Sequence, residues 1–176
     1  DSLSFVRGGF EIPAASAPAV VRAANVLRQY SVEEVRPAWA EICRHLLADG
    51  LLVDATCDEI GRLGAWVGVR AREGRPVPET FTIAVHVASL EQPSDVAARL
   101  PKVLIHQNVS GTQINDVLMR LDDAWNRTRS HRVFGARAHW VATIEQAQVD
   151  GLRPIDTRER WRLGELTLDW ESVSSD

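Results

Sequence analysis

Residues 19–53 read AVVRAANVLRQYSVEEVRPAWAEICRHLLADGLLV. The runs 19–24 and 51–53 are short and apolar, which is typical of buried strands. Between them, apolar residues recur at helical spacing from Val35 to Leu47, which predicts an amphipathic helix. Two strands that flank such a helix form a βαβ unit, so we expect parallel strands joined by a right-handed crossover.

The ends of this helix also have sequence signals. Ser31 can serve as the N-cap, and Glu34 follows it at the spacing of a capping box. Asp49 and Gly50 lie just after the last apolar position, and Gly is the residue that most often closes a helix. We therefore expect a helix that begins after Ser31 and closes at Asp49–Gly50.

The rest of the chain supplies further strands and helices. Leu3 to Val6 is a short apolar run that predicts a strand ending at Gly8–Gly9. Runs 65–69 and 80–87 flank a turn signal at 73–76, which predicts an antiparallel hairpin. We predict helices near 94–100, 113–127 and 136–147, a loop over 150–160 and a last strand within 161–170.

Composition limits the class of protein. The 176 residues fit one domain, and the net charge of −4 argues against a nucleic-acid-binding face. No apolar run approaches the roughly 20 residues needed to cross a bilayer, and no signal-like segment begins the chain. Only two cysteines occur. We expect a cytoplasmic protein with neither a nucleic-acid nor a membrane partner.

Polar and small residues follow each of the first three predicted strands. In an open parallel sheet, ligands bind at the carboxyl ends of the strands. If the sheet is parallel, these exits converge on one edge. The candidates there are Gly8, Gly9, Phe10, Asn25, Arg28, Tyr30, Asp58 and Glu59.

Three segments together resemble a known enzyme family. Residues 3–10 look like the third strand of the class I S-adenosylmethionine-dependent methyltransferases, and 20–27 look like the fourth strand with its loop. Residues 46–53 (LLADGLLV) are similar to the L-x-P-G-G-x-L-V turn that leads into the fifth strand. The glycine-rich first strand and the ribose-binding acidic residue have no counterpart, and Gly8–Gly9 replaces the acidic residue after the third strand. The chain thus resembles the C-terminal portion of such an enzyme.

The resemblance implies a function and a set of roles. It implies methyl transfer from S-adenosylmethionine to a small-molecule acceptor, with Asn25 orienting the acceptor and Asp58 or Glu59 as a base. The implied cofactor contacts are Gly8, Gly9, Phe10, Ala24 and Asn25, and the implied acceptor contacts are Arg28, Tyr30 and His106.

Each of these residues also has a plain structural alternative. Asn25 could form an Asx turn, and Phe10 and Tyr30 could pack in the core. Asp58 or Glu59 could pair with Arg62 at the surface. His106 could lie in a surface loop. Cys57, Asp58, His86 and His106 share no metal-ligand spacing, so we expect no metal site.

The expected fold is α/β: a Rossmann-like, mainly parallel sheet with an antiparallel hairpin and a helical C-terminal section, in a single domain over residues 1–176. Two alternatives to the methyltransferase stay open. One is a non-catalytic binding or assembly module that forms a homodimer through an unpaired sheet edge. The other is a Rossmann-type enzyme that uses a different nucleotide.

Overall fold

The computed structural model describes residues 3–174, which form one five-stranded sheet with helices packed on it. The strands are β1 (Val20–Ala24), β2 (Leu51–Cys57), β3 (Leu63–Arg72), β4 (Arg75–Val85) and β5 (Glu165–Asp169). The helices are α1 (Val32–His45), α2 (Lys102–Ile105), α3 (Gln113–Arg127), α4 (Ala136–Val149) and α5 (Arg158–Trp161). Short 3₁₀ helices cover Leu27–Gln29, Pro93–Arg99, Arg129–Phe134 and Trp170–Ser172.

The β1–α1–β2 unit is parallel, as residues 19–53 predict. Val20 pairs with Leu51, and Ala24 pairs with Ala55. The expected capping box is present, because the Glu34 carboxylate accepts a hydrogen bond of 2.8 Å from the Ser31 backbone N–H. The helix ends at His45, earlier than the expected closure at Asp49–Gly50. Those two residues instead make the turn into β2.

Only glycine fits the last position of that turn. A Cβ atom on Gly50 would lie 2.8 Å from the Leu47 carbonyl oxygen and 3.2 Å from that of Ala19. Contacts this short between Cβ and backbone oxygen require the backbone to shift. The glycine therefore allows β1 and β2 to start side by side.

The prediction of a mainly parallel, Rossmann-like sheet is wrong. Only β1 and β2 are parallel, whereas β2–β3, β3–β4 and β4–β5 are all antiparallel. The reason lies in the connections: residues 58–62 join β2 to β3 and are too few for a crossover helix, so the chain must double back. The strands follow one another across the sheet in chain order.

The predicted hairpin is confirmed and is longer than expected. Its two turn residues, Glu73 and Gly74, have φ angles of 51° and 73°. Two positive φ angles in a two-residue turn match the right-handed twist of the flanking strands. The hairpin therefore supplies the two longest strands of the sheet, at its centre.

The strand predicted at Leu3–Val6 is wrong. These residues are irregular, and the side chains of Leu3 and Phe5 are 84% and 90% exposed. Within residues 3–174, β1 pairs with β2 alone, so its other edge faces no described strand. A short apolar run has no strand geometry of its own without a neighbour to pair with, which explains the failure.

The core lies on one face of the sheet. Trp39 of α1 donates a hydrogen bond of 3.0 Å to Asp54 of β2, which places α1 over the face that carries Leu52 and Asp54. Three tryptophans of the helices are buried there, at 1%, 5% and 0% exposure for Trp39, Trp125 and Trp140. Trp170 is also buried and meets Trp39 edge to face, with ring centroids 6.4 Å apart.

The opposite side, here called the open face, contributes no large side chain to the core cluster. Its middle is Trp66 on the central strand, a half-buried side chain. Strand alternation places the following residues on it: Arg22, Ala24, Val53, Ala55, Gly68, Trp66, Thr80, Thr82, Thr167 and Asp169. Among the described residues, no helix is long and apolar enough to pass through a membrane.

Candidate functional site

The carboxyl ends of β1 and β2 lie side by side, and we call the group Asn25, Arg28, Tyr30, Cys57 and Asp58 the carboxyl-edge site. The Asn25 backbone N–H donates to the Ala55 carbonyl oxygen at 2.7 Å, so the ladder continues one residue past β1. At Asn25 the chain then turns away, with φ at 58°. Asparagine is one of the few residues that tolerate this left-handed conformation.

The side chain of Asn25 ties the two strand ends together. Its Oδ1 accepts a hydrogen bond of 2.9 Å from the Cys57 backbone N–H. Its Nδ2 lies 3.4 Å from the Cys57 Sγ atom, to which it donates a second, weaker bond. The amide is thus fixed in position before any ligand arrives. One Nδ2 hydrogen is left for another acceptor.

Arg28 lies a short way along, in the 3₁₀ helix Leu27–Gln29. Its Nη1 atom is buried and has no hydrogen-bond partner. Buried donors are nearly always satisfied in proteins, and a guanidinium carries a full positive charge. The Nη1 atom is thus enclosed by the protein, whereas the Arg28 residue as a whole is only half-buried.

Phe10 reaches this end of the molecule although it belongs to no strand. Its ring contacts the Tyr30 ring, with centroids 5.3 Å apart and the planes tilted by 51°. The pair makes an aromatic wall just before α1. Two of the three segments predicted to follow strands, those after β1 and β2, therefore lie at the same edge of the sheet. The third segment approaches them only through the contact of Phe10 with Tyr30.

Gly8 and Gly9 have a local explanation. A Cβ atom on Gly8 would lie 2.3 Å from the Pro13 ring, and one on Gly9 would lie 2.8 Å from a Glu11 carboxylate oxygen. The Gly9 N–H donates to that same carboxylate at 2.9 Å. The segment folds on itself, and its glycines make room for Pro13 and Glu11 rather than forming a cradle for a ligand.

The two predicted bases differ in their surroundings. Asp58 is half-buried, and its Oδ1 accepts a hydrogen bond of 2.7 Å from the Arg62 backbone N–H, which closes the turn into β3. The backbone and not the guanidinium of Arg62 is the partner. Glu59 is exposed in the same turn. Asp58 is therefore the better placed of the two.

His106 ends α2 and is exposed. The pKa of Glu33 is lowered by hydrogen bonds with its own backbone and with the Ser31 side chain, and further by the nearby charges of His106 and Lys102. His106 thus lies near the start of α1, at the end of the molecule where Tyr30 lies, although it is not in the edge itself.

Two clefts lie away from the predicted residues. One, of about 600 Å³, runs along α3 and is lined by acids and bases such as Asp116, Arg120 and Asp150. Arg120 donates to the Asp150 backbone carbonyl, and Arg127 pairs with the Asp150 carboxylate, so both guanidinium groups already have partners within the protein. The other, of about 460 Å³, lies between α4 and α5.

The second cleft is lined by residues that sequence reasoning missed: His131, Phe134, Arg137, Ala138, Val141, Ala142, Glu145, Arg158 and Arg162. A signal for it exists in the sequence, because no acidic residue occurs over 124–144 while four arginines do. In residues 3–174 no three His, Cys, Asp or Glu side chains lie close enough to hold a metal ion.

Comparison with known proteins adds no relative. No protein-family model matches the chain, and neither a curated protein nor a solved structure is significantly similar to it.

Proposed function

We propose that the carboxyl-edge site holds the acceptor in a methyl transfer from S-adenosylmethionine to a small molecule. The observation that supports this most is the Asn25 amide, fixed across the ends of two parallel strands with one N–H to spare. Ligands bind at the carboxyl ends of strands in open parallel sheets, and β1 and β2 are the parallel pair of this sheet. Of the three segments that carry the resemblance, 20–27 and 46–53 belong to the β1–α1–β2 unit, whereas 3–10 form no strand.

Each residue of the site has a defined task in this proposal. Asn25 orients the nucleophilic atom of the acceptor, and the positive charge of the half-buried Arg28 guanidinium attracts an anionic group on it. The aromatic wall of Phe10 and Tyr30 excludes water from one side. Asp58 takes up the proton that the acceptor releases, through the carboxylate oxygen not bonded to Arg62. Alignment of acceptor and methyl group supplies most of the rate gain.

The fit to the cofactor is partial. When bound, S-adenosylmethionine supplies an electrophilic methyl group on a positively charged sulfur. Ala24 is exposed at the end of β1, and Phe10 offers a ring face to an adenine. The space beside Gly8 and Gly9, in contrast, is filled by Pro13 and Glu11. The described residues therefore build the acceptor side more completely than the cofactor side.

Titration calorimetry with S-adenosylhomocysteine tests the proposal. We expect saturable heat with the full chain. The resemblance also places Asn25 against the cofactor. Asn25→Asp keeps an oxygen that accepts from the Cys57 N–H but removes the free amide N–H and adds a charge, so we expect S-adenosylhomocysteine to bind about tenfold more weakly or worse. Asn126→Asp, at an exposed position on α3, is the matched control and should bind like the unaltered chain. No heat at millimolar ligand, or equal weakening by both substitutions, contradicts the proposal.

The open face favours a second candidate, an assembly module. Arg22, Val53, Gly68, Thr80 and Asp169 form one row across the five strands. Its two ends carry opposite charges, and both of these side chains are exposed. Two sheets related by a two-fold axis parallel to their strands place β1 of one copy over β5 of the other. Arg22 of each copy then faces Asp169 of the other.

The middle of the open face suits the same arrangement. Trp66 is on the central strand, so the two copies of this side chain meet near the two-fold axis. Its neighbours Ala55 and Gly68 are small, which lets the sheets approach closely. A central aromatic side chain surrounded by small residues and flanked by charge pairs is typical of protein interfaces. The mass of the protein in solution distinguishes this candidate, because the arrangement requires a dimer.

A cytoplasmic location stays part of the proposal. Cys43 is buried and Cys57 is half-buried, and neither forms a disulfide. Free thiols fit a reducing compartment, where disulfides are rare. A periplasmic or secreted location, found by cell fractionation, would contradict this part of the proposal.

A further inference from the structure

Basic residues are unevenly distributed on this acidic chain. The segment 124–144 contains Arg127, Arg129, Arg132 and Arg137 with no Asp or Glu, whereas the whole chain has a net charge of −4. The fold then brings Arg158 and Arg162 of the α5 region beside Arg137 of this segment. Two segments far apart in sequence therefore build one positively charged surface.

That surface surrounds a cleft, which we call the arginine cleft. It holds about 460 Å³, with Val141 and Ala142 among its lining and Phe134 and His131 on one side. An adjoining depression of about 360 Å³ shares three arginines with it. The shared residues, which separate the two spaces, are Arg137, Arg158 and Arg162. The volume is in the range of small-molecule sites.

Several nearby arginines are already engaged. Arg127 pairs with Asp150, and Arg160 pairs with Glu165. The Arg132 guanidinium lies 5.7 Å from the centre of the Trp125 ring. These three side chains are therefore held by the protein itself, which leaves the arginines of the cleft to be considered.

Within the cleft, the positive charges outnumber the negative ones. Arg158 pairs with Glu145 at 2.8 Å. Glu159 lies close enough to Arg158 and Arg162 for their charges to contribute to its lowered pKa, behind the larger effects of hydrogen bonds with Thr157 and its own backbone. Arg137 has no ion pair in the described part of the chain. An arginine presents a planar set of donors that matches phosphate oxygens.

The start of α4 adds to this field. The helix begins at Ala136, its N-cap is Gly135, and no side chain caps its first turn. The free N–H groups of a helix start attract anions. Arg137 is in that first turn, so guanidinium and backbone donors lie together beside the cleft.

An aromatic surface completes the cleft. The Phe134 side chain is 76% exposed, and its ring lies 6.3 Å from that of His131. An exposed phenylalanine beside arginines is a stacking platform for a nucleobase, as in proteins that bind single strands. Leu163, next to the cleft, is also 66% exposed.

We propose that the arginine cleft binds a nucleotide unit, with its phosphate on Arg137, Arg162 and the start of α4 and its base on Phe134. The unit comes either from a free nucleotide or from a single-stranded RNA. This inference does not depend on the methyl-transfer proposal, because no residue of the carboxyl-edge site lines the cleft.

Fluorescence anisotropy of the full chain with fluorescein-labelled U₁₀ and A₁₀ RNA tests the RNA source, and calorimetry with AMP and ATP tests the free nucleotide. We expect saturable binding of at least one probe, weakened by raising NaCl from 50 to 200 mM. Tighter binding of RNA than of ATP identifies the strand as the source, and the reverse identifies the free nucleotide.

Matched variants locate the site. Arg137→Ala and Arg162→Ala should each weaken binding about tenfold, and Phe134→Ala about fivefold. Arg137→Lys should fall between, since lysine keeps the charge but not the bidentate geometry. Arg75→Ala and Val149→Ala are controls for an exposed arginine and an exposed apolar side chain elsewhere, and both should bind normally. Circular dichroism melting curves verify that each variant is folded.

Two results would overturn the proposal. One is the lack of binding of every nucleotide probe at 1 mM or of RNA at 50 µM, including the case in which anionic phosphatidylglycerol vesicles bind instead. The other is nucleotide binding that Arg137→Ala and Arg162→Ala leave as strong as Arg75→Ala does.

Discussion

Asp54 is the least expected side chain of the core. It is 1% exposed in the middle of β2, and its Oδ2 accepts the hydrogen bond from Trp39. Burial disfavours the charged carboxylate and raises its pKa from 3.8 to about 6, although the Trp39 bond opposes the shift. The folded protein therefore binds this proton more tightly than the unfolded chain does. The contribution of Asp54 to the free energy of unfolding is most favourable below pH 4 and is lost as the pH rises through 6.

Asp54→Asn removes this cost. The amide oxygen still accepts the Trp39 bond, but the side chain has no charge to bury. We expect the free energy of unfolding to rise by about 2–3 kcal/mol at pH 8, since each pKa unit corresponds to about 1.4 kcal/mol. At pH 4 the gain should be small. Urea unfolding at both pH values measures this, with Asp123→Asn on exposed α3 as the control.

Equal gains in the free energy of unfolding at pH 4 and pH 8 would contradict the titration of Asp54.

Sequence reasoning overlooked Asp54 because one Asp inside an apolar strand gives no periodic signal. Asn25, which directly follows β1, and Tyr30, which follows the 3₁₀ helix Leu27–Gln29, were predicted from the sequence, and their roles stay predictions. Arg137 and Arg162 escaped it, since the fold brings them together from segments without a shared motif.

Local signals located the helices well, because these signals act within a few residues. The boundaries of α3 match the predicted 113–127, and α1 begins where its capping box predicts. Hairpin strands were also found, since the turn at Glu73–Gly74 fixes their pairing. Leu3–Val6 was mistaken for a strand because pairing is not a local property. The predicted strand direction was wrong for a similar reason. The link 58–62 is too short for a crossover helix, so β3 runs antiparallel to β2 although β1 and β2 are parallel.

We expect the capping box at the start of α1 to contribute measurably to the free energy of unfolding. Glu34→Ala removes the acceptor of the Ser31 N–H, so we expect a loss of about 1 kcal/mol in the free energy of unfolding. Glu34→Gln keeps an acceptor oxygen and should lose less than half of that. Chemical denaturation of both variants measures the difference, with exposed Gln148→Ala in α4 as a control. Equal losses for Ala and Gln would mean that the carboxylate charge, not the bond, stabilises the start of α1.

The whole molecule is a sheet covered on one side. Helices bury Leu52, Val67 and Phe81 completely, whereas Val53 and Trp66 on the open face stay half-buried. An antiparallel sheet often has one solvated face, so the half-buried Trp66 and Val53 are what favour a cover here. A second copy of the chain would supply that cover, as the row from Arg22 to Asp169 suggests.

Light scattering after size exclusion checks this arrangement. We expect a mass near twice the 19.5 kDa of one chain. Arg22→Glu and Asp169→Arg should each give monomers, because like charges then face each other across the interface. The double variant Arg22→Glu/Asp169→Arg restores opposite charges and should dimerise again. Arg137→Glu, on α4, is the control and should stay dimeric.

A monomer at 100 µM for the unaltered chain contradicts the two-fold arrangement, and so does a double variant that stays monomeric while Arg137→Glu dimerises. Charge reversal tests the pairing itself, because a nonspecific apolar contact would not be restored by swapping two charges.

The strands are arranged across the sheet in the order in which they occur in the chain, and this bears on how the molecule assembles. Short links, 58–62 and 73–74, join β2, β3 and β4. These three strands can therefore pair, beginning at the Glu73–Gly74 turn, with little loss of chain entropy. Residues 86–164 separate β5 from β4 in the chain, and contacts between distant parts of a chain form slowly. During refolding, the edge of β4 that later pairs with β5 therefore stays unpaired after the other strand pairs have formed, and β5 joins the sheet last.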